Sequence, residues 1–186
     1  MVSTNNLKNG MTLLIDDKLQ QVVENAHHKP GKGQAVVRTK LKEVETGKVV
    51  ERTFRAGEDL EQAIVERKTL QFLYKEGEDF VLMDSETYDQ QLAPPAAIGE
   101  AADYLVEGDE LGVLEYEGRI VGVELPASKV LEIAHTDPGV AGNTATSATK
   151  PATLETGKEI QVPLFIDVGE KVKVDTRSGS YISRAS

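Results

Sequence analysis

The sequence has no cysteine and no tryptophan, and with 4 Phe and 5 Tyr it is poor in aromatics. Without a thiol there is no disulfide framework, no Cys-ligated zinc, no iron–sulfur cluster and no thiol nucleophile. No apolar run approaches the roughly 20 residues of a membrane span. The opening MVSTNNLKNGMTLLIDDK lacks a basic stretch followed by an apolar one, so no signal peptide is expected. His27, His28 and His135 are the only histidines. Neighbouring His27 and His28 point to opposite sides of an extended chain and make poor co-ligands for one metal. There is no Gly-x-Gly-x-x-Gly after a strand and no P-loop, and Gly139–Gly142 lacks the Gly-Lys-Ser/Thr ending. The carboxylates show no spacing that marks a paired acid and base. These absences predict a cytoplasmic protein without metal or cofactor that is not an enzyme.

What is present is acid, unevenly spread. The 31 Asp+Glu exceed the 21 Lys+Arg, for a net charge of -10. Residues 1–64 hold 10 basic and 9 acidic side chains; residues 65–126 hold 4 and 15; residues 127–186 hold 7 of each. Nearly all the excess acid therefore lies in the middle third, where it reads as a solvated surface. A net charge of this sign argues against a general nucleic-acid coat. It leaves room for a focused basic patch, and from Lys29 to Lys42 there are five basic residues and no acid.

Short runs rich in Val, Ile, Leu and Thr recur between turn signals such as Asn9-Gly10, Thr46-Gly47, Glu117-Gly118 and Ser178-Gly179. Only Pro95–Tyr104 reads as briefly helical. Many short strands with regular turns predict an all-β chain of small barrels or sandwiches. A weak repeat at a shift of 61 residues relates Gly108 to Gly169, Gly118 to Gly179, Leu111 to Val172, Val113 to Val174 and Val121 to Ile182. That shift is the size of one small barrel. It places boundaries near residues 64 and 127 and makes Thr136–Pro151 a long loop inside the third unit.

One segment stands out for function. His27-His28-Lys29-Pro30-Gly31-Lys32-Gly33-Gln34 interrupts two β runs. Pro30 fixes φ, Gly31 is expected to supply a positive φ, and Lys32 is held at the tip of a projecting hairpin between two glycines. Downstream, Arg38, Lys40 and Lys42 alternate along a strand and share one face, while Val37, Thr39 and Leu41 point to a core. A basic stripe leading to a basic tip suits a phosphodiester backbone. The same loop can also be no more than a solvent-exposed turn.

At this point the chain resembles the bacterial elongation factor P family, over its whole length. The family's third-domain signature stands as KPATLETGKEIQVPLFIDVG from Lys150 to Gly169, and VDTRSGSYISR from Val174 to Arg184 is similar to the family's ending. Lys29-Pro30-Gly31-Lys32-Gly33 sits where the family carries its functional tip. The resemblance implies an SH3-like (KOW-type) barrel over residues 1–64, an acidic OB-fold over 65–127 and a C-terminal OB-fold over 128–186, in an L-shaped, tRNA-like outline. It implies a translation factor that binds the ribosome between the peptidyl-tRNA and exit sites and promotes peptide bonds at consecutive prolines. Lys32 would touch the CCA end of the peptidyl-tRNA; many members modify this lysine and some work with it unmodified. Implied partners are the ribosome, peptidyl-tRNA, exit-site mRNA and a lysine-modifying enzyme, with the protein acting as a monomer.

The resemblance also carries contacts onto Gly142, Asn143, Thr144 and Lys150 in a third-domain loop, and onto Tyr181 and Arg184 for the small subunit or the anticodon arm. Tyr181 can equally be a core residue of the third barrel. The sequence departs from the family at Asn143 and Ser147, which stand for the usual Asp and Gly, and at Asp16-Asp17, where many members have Asp-Gly. His28 stands where an apolar residue is commoner. A second reading, a general RNA-binding OB-fold protein or RNA chaperone, would need stacking aromatics on one barrel face, and the few aromatics make such a platform sparse.

Overall fold

The computed structural model describes residues 1–139 and 148–186. The strands are β1 Val2–Ser3, β2 Thr12–Ile15, β3 Lys18–His28, β4 Val36–Glu43, β5 Val49–Arg55, β6 Asp59–Ala63, β7 Glu66–Glu76, β8 Asp79–Met83, β9 Gln90–Ala93, β10 Glu110–Tyr116, β11 Arg119–Glu124, β12 Ser128–Thr136, β13 Thr149–Leu154, β14 Glu159–Pro163, β15 Lys171–Asp175 and β16 Tyr181–Ala185. One α-helical turn, α1 Pro95–Ile98, runs into a 3-10 turn, Gly99–Asp103. The chain is all-β, as its short apolar runs between turn signals predict, and the brief helical reading falls where expected.

Three sheets form. The first runs in the order β1-β6-β2-β3-β4-β5, the second β11-β10-β7-β8-β9 and the third β14-β13-β12-β15-β16. Written from the other edge, the third is β16-β15-β12-β13-β14, so it repeats the strand order of the second. The 61-residue repeat is thus real in three dimensions. The Gly108 amide donates to Phe72 and the Phe72 amide to Asp109; shifted by 61 residues, Gly169 donates to Ile133 and Ile133 to Glu170. Gly108 and Gly169 have φ of 93° and 86°, and Gly118 and Gly179 have 75° and 74°. The glycines recur because the same left-handed corners recur.

Two compact units emerge from the packing. One comprises Met1–Lys68, Ala93–Gly99 and Val113–Gly122. Its core holds Leu7, Leu13, Ile15, Val22, Leu41 and Phe54, and a smaller cluster joins Leu19, Ala63 and Val121. The other comprises Thr69–Leu92, Glu100–Gly112 and Val123–Ser186. Its core gathers Leu131, Ile133, Leu154, Ile160, Val162, Val172 and Val174 around Tyr104. Tyr104 is anchored by its own neighbours: Lys129 Nζ donates to its carbonyl and to the Asp109 carboxylate, and Thr156 Oγ1 donates to the Asp103 carbonyl.

Four strands escape the apolar-run reading: β1, β6, β9 and β13. β1 has two residues, while β6 (DLEQA) and β9 (QQLA) are too polar to stand out. β13 contains Pro151, which argues against an inner strand, yet it pairs with Gln161 and its carbonyl accepts from Thr136 Oγ1 at 2.9 Å. The expected loop therefore loses both its ends, Thr136 to β12 and Thr149–Pro151 to β13.

Two backbone features yield measurements. A Cβ on Gly139 would stand 2.5 Å from the Leu164 carbonyl oxygen, whereas one on Gly31 would meet nothing within 4 Å. Gly139→Ala should cost about 1–3 kcal/mol and Gly31→Ala less than about 0.5 kcal/mol; urea melts of both variants check this. The β2–β3 turn places Asp16 and Asp17 at φ of 52° and 61°, the two left-handed positions of a type I′ hairpin. Asp16 holds Arg52 at 3.0 Å; Asp17 forms no ion pair among the described residues. Asp17→Gly should stabilise by roughly 0.5–1 kcal/mol, seen as a raised melting temperature.

Candidate functional site

The hairpin of β3 and β4 carries the site. Its ladder runs from Gln20↔Glu43 to His28↔Val36, with one bulge between Val22 and Glu24. On β4 the alternation is complete: Val37, Thr39 and Leu41 are fully buried, and Arg38, Lys40 and Lys42 are exposed. His27 and His28 pair with Val37 and Val36 respectively, so consecutive ladder positions place them on opposite faces.

Beyond the last pair, residues 29–35 form the tip. Lys32 is four residues past His28, at most about 13 Å of extended chain, and it is exposed. The left-handed residue is Gly33, with φ 118°, and not Gly31, which has no positive φ. The correction matters because the constraint then follows the lysine. A Cβ at Gly33 would lie 3.7 Å from Pro30 Cγ, so the two residues flank the turn closely. The base of the loop is tied by the Ala56 amide, which donates to the Ala35 carbonyl at 3.0 Å. A shallow cleft beside it is lined by Gln34, Ala35, Arg55, Ala56, Gly57 and Glu58.

Charge along the outward face follows from cross-strand neighbours. Lys40 lies opposite Glu24 on β3 and Glu51 on β5. Its ammonium bonds Glu24 Oε2 at 2.8 Å. That pairing raises the Lys40 pKa and lowers that of Glu24. Toward the tip the cross-strand neighbours on this face carry no anion, and Glu58, in the cleft beside the loop base, accepts the Arg55 backbone N–H at 3.2 Å. Arg38 lies between Ala26 and Thr53, and the next row toward the tip is His28, Val36 and Arg55. Lys29, Lys32, Arg38, Lys42 and Arg55 form no ion pair among the described residues. The basic stripe is therefore neutralised at Lys40 and open at Arg38. Sequence reading followed one strand and missed Arg55, Glu24 and Glu51, because their role depends on register. Arg52, next to them in sequence, turns to the inner face and lies 5.6 Å over the Phe54 ring.

The remaining sequence-predicted residues fall elsewhere. Lys150 is not in a loop: it sits in β13, 7% exposed, and its Nζ donates to the Asp137 carbonyl at 2.6 Å. With its stem buried, Lys150 anchors the chain at Asp137. Gly142, Asn143 and Thr144 lie outside the described residues. Tyr181 is half-buried and packs against the core that gathers around Tyr104. Arg184 is exposed and pairs with Glu170, whose carboxyl is held below its usual range by the Asp167 backbone N–H first and by Arg184 after it.

The Glu24–Lys40 pair makes a pH prediction. A carboxyl whose pKa is depressed on folding adds stability above its unfolded pKa and loses it as pH falls through the folded value. Glu24 should titrate below the usual glutamate range in a carbon-detected NMR titration, and Lys40→Met should return it to that range.

Comparisons with known proteins agree over the whole chain. Residues 3–60 match the family model described as "Elongation factor P (EF-P) KOW-like domain", residues 65–123 the "Elongation factor P (EF-P) OB domain", and residues 130–184 "Elongation factor P, C-terminal". Curated proteins named elongation factor P are similar over full length: 58% identical in Acidothermus cellulolyticus, covering 100% of both chains. In Microcystis aeruginosa the identity is 54%, covering 99% of this chain and 100% of the relative. In Desulfitobacterium hafniense it is 51%, covering 100% of both. Among solved structures, a protein titled eukaryotic translation initiation factor 5A from Methanococcus jannaschii aligns with a TM-score of 0.50 at 28% identity, covering 66% of this chain and 92% of that one.

Proposed function

The chain belongs to the elongation factor P family, and on that premise we propose that it binds the ribosome between the peptidyl-tRNA and exit sites and promotes peptide-bond formation at consecutive prolines. The observation that carries this is the Lys32 tip: an exposed lysine on a loop fixed by Pro30 and by the left-handed Gly33, beyond a face whose tip-proximal cations, Arg38 and Arg55, have no ion-pair partner among the described residues. Those two arginines would hold the tRNA backbone, as phosphate contacts position without reading sequence. Lys40, already paired with Glu24, contributes less.

Proline has a fixed φ and a ring on its nitrogen. A run of prolines holds the peptidyl end in poor geometry for attack. Correct placement of two reactants can be worth on the order of 7–11 kcal/mol in favourable cases. A lysine touching the CCA end supplies placement without proton transfer, so the factor is not itself an enzyme and the ribosome makes the bond. The exposed amine of Lys32 is open to a lysine-modifying enzyme, whose product would reach further, and equally to use unmodified. The reading includes a monomer working in the cytoplasm, on three domains divided near residues 64 and 127, and a contact of the third domain with exit-site mRNA. No helix among the described residues is long and apolar enough to cross a membrane.

The test is passage through a Pro-Pro-Pro reporter in a purified translation system, with no factor, with the native protein and with Lys32→Ala. The native protein should relieve the stall and Lys32→Ala should lose at least about tenfold of that relief, which is about 1.4 kcal/mol of positioning. If the native protein leaves the stall intact while a proline-free control reads through, the proposal fails and the general RNA-binding reading takes its place.

A further inference from the structure

The third sheet carries an aromatic ring that its core does not use. Phe165 is 59% exposed, in the connection between β14 and β15. The guanidinium carbon of Arg184, on β16, lies 5.7 Å from the Phe165 ring centroid. Along another edge the Arg184 Nη2 donates to Glu170 Oε1. The second oxygen of that carboxylate, Oε2, accepts the Asp167 N–H at 2.7 Å. Both oxygens of Glu170 are thus engaged, one by the loop that bears Phe165 and one by Arg184. A guanidinium is a rigid plane. Here an aromatic ring at cation–π distance and a carboxylate with both oxygens engaged flank that plane, and the side chain still keeps 58% of its surface in solvent.

Charge decides what such a plane is good for. A phosphate clamp needs an unopposed cation, and Glu170 opposes this one directly. A nucleobase needs only a flat, polarisable surface, and arginine planes backed by aromatics stack bases regardless of sequence. We propose that Arg184 and Phe165 form a stacking ledge for an unpaired RNA nucleobase, with Glu170 as the positioning residue that sets the guanidinium's orientation. The inference rests on the ribosome-binding reading for the source of the RNA. It assigns Arg184 a base and not a phosphate, and it adds Phe165 and Glu170 to the site.

Two measurements test it. In the first, labelled protein is titrated against ribosomes carrying peptidyl-tRNA. Arg184→Lys keeps the charge and removes the plane; Phe165→Leu keeps an apolar residue and removes the ring. Each should weaken binding roughly tenfold, Arg184→Lys as much as Arg184→Ala, with the salt slope and the melting temperature unchanged. Glu170→Gln should weaken it less. A phosphate clamp predicts the opposite: Arg184→Lys binds like wild type, Phe165→Leu is neutral, and Arg184→Ala lowers the salt slope by about one. That result overturns the ledge. In the second, a short unpaired RNA containing 2-aminopurine is titrated with the free protein, since stacking quenches its fluorescence. If wild type fails to bind ribosomes, the ribosome reading fails by itself. Quenching by wild type that is lost in Arg184→Lys and Phe165→Leu would then keep the ledge, and absence of quenching would overturn it.

Discussion

The register of β3 on β4 is the constraint on which the site depends. Val37, Thr39 and Leu41 are fully buried on one side of β4, and Arg38, Lys40 and Lys42 lie on the other. A slip of one residue would exchange the two sets. Burying Val37 and Leu41 is worth roughly 1.5–3 kcal/mol each. The exposed Glu24–Lys40 pair at 2.8 Å is screened by solvent and contributes less than either. The core therefore sets the register, and the charges follow it. The same register decides which residues end the ladder, and so which residues form the loop.

Once the register is fixed, the charge pattern is a consequence of which residues face one another. The row of Lys40 brings Glu24 and Glu51 to its two sides, and the row of Arg38 brings Ala26 and Thr53. Lys40 is engaged by Glu24, whereas Lys42 toward the base and Arg38 toward the tip have no ion-pair partner among the described residues and are available to a partner. A chain of net charge -10 holds a polyanion through focused regions, since its acidic middle third repels it within about a Debye length, roughly 8–10 Å at physiological salt.

How much of this was legible in the sequence depends on the range of the signal. The alternation on β4, the turn glycines and the 61-residue repeat are local or periodic, and they were readable. The repeat was read as suggestive Gly spacing, and its basis is the shared amide bonds of Gly108 with Phe72 and Gly169 with Ile133. What was not legible depends on partners far away in the chain. Arg55 joins the tip-proximal face only because Val36 pairs with it. Lys150 reads as a loop cation until its stem is seen buried and its ammonium bound to Asp137. Glu170 and Phe165 acquire a role only beside Arg184. Polar strands such as β6 are held by their neighbours and not by their own propensity, which is why periodicity misses them. The position of the left-handed glycine was misread for a different reason: Pro-Gly is a strong turn signal, but the turn here is completed one residue after the lysine.

In the proposed role of the tip, an exposed side chain is used for positioning. Lys32 has about 2 kcal/mol of rotamer entropy to lose on being held. If its backbone were also free, ordering each loop residue would cost a further 1–2 kcal/mol or so. The loop avoids much of that second cost. Pro30 fixes one φ, Gly33 provides the left-handed corner without strain, and the Ala56 amide closes the base on Ala35. None of these constraints uses a side chain that would crowd the lysine, and a Cβ at Gly31 would itself meet open space. The backbone is thus preorganised while the side chain stays unencumbered. In the proposed role, that combination would let a thin, cationic probe enter a crevice too narrow for the barrel behind it, at an entropic cost confined to one side chain.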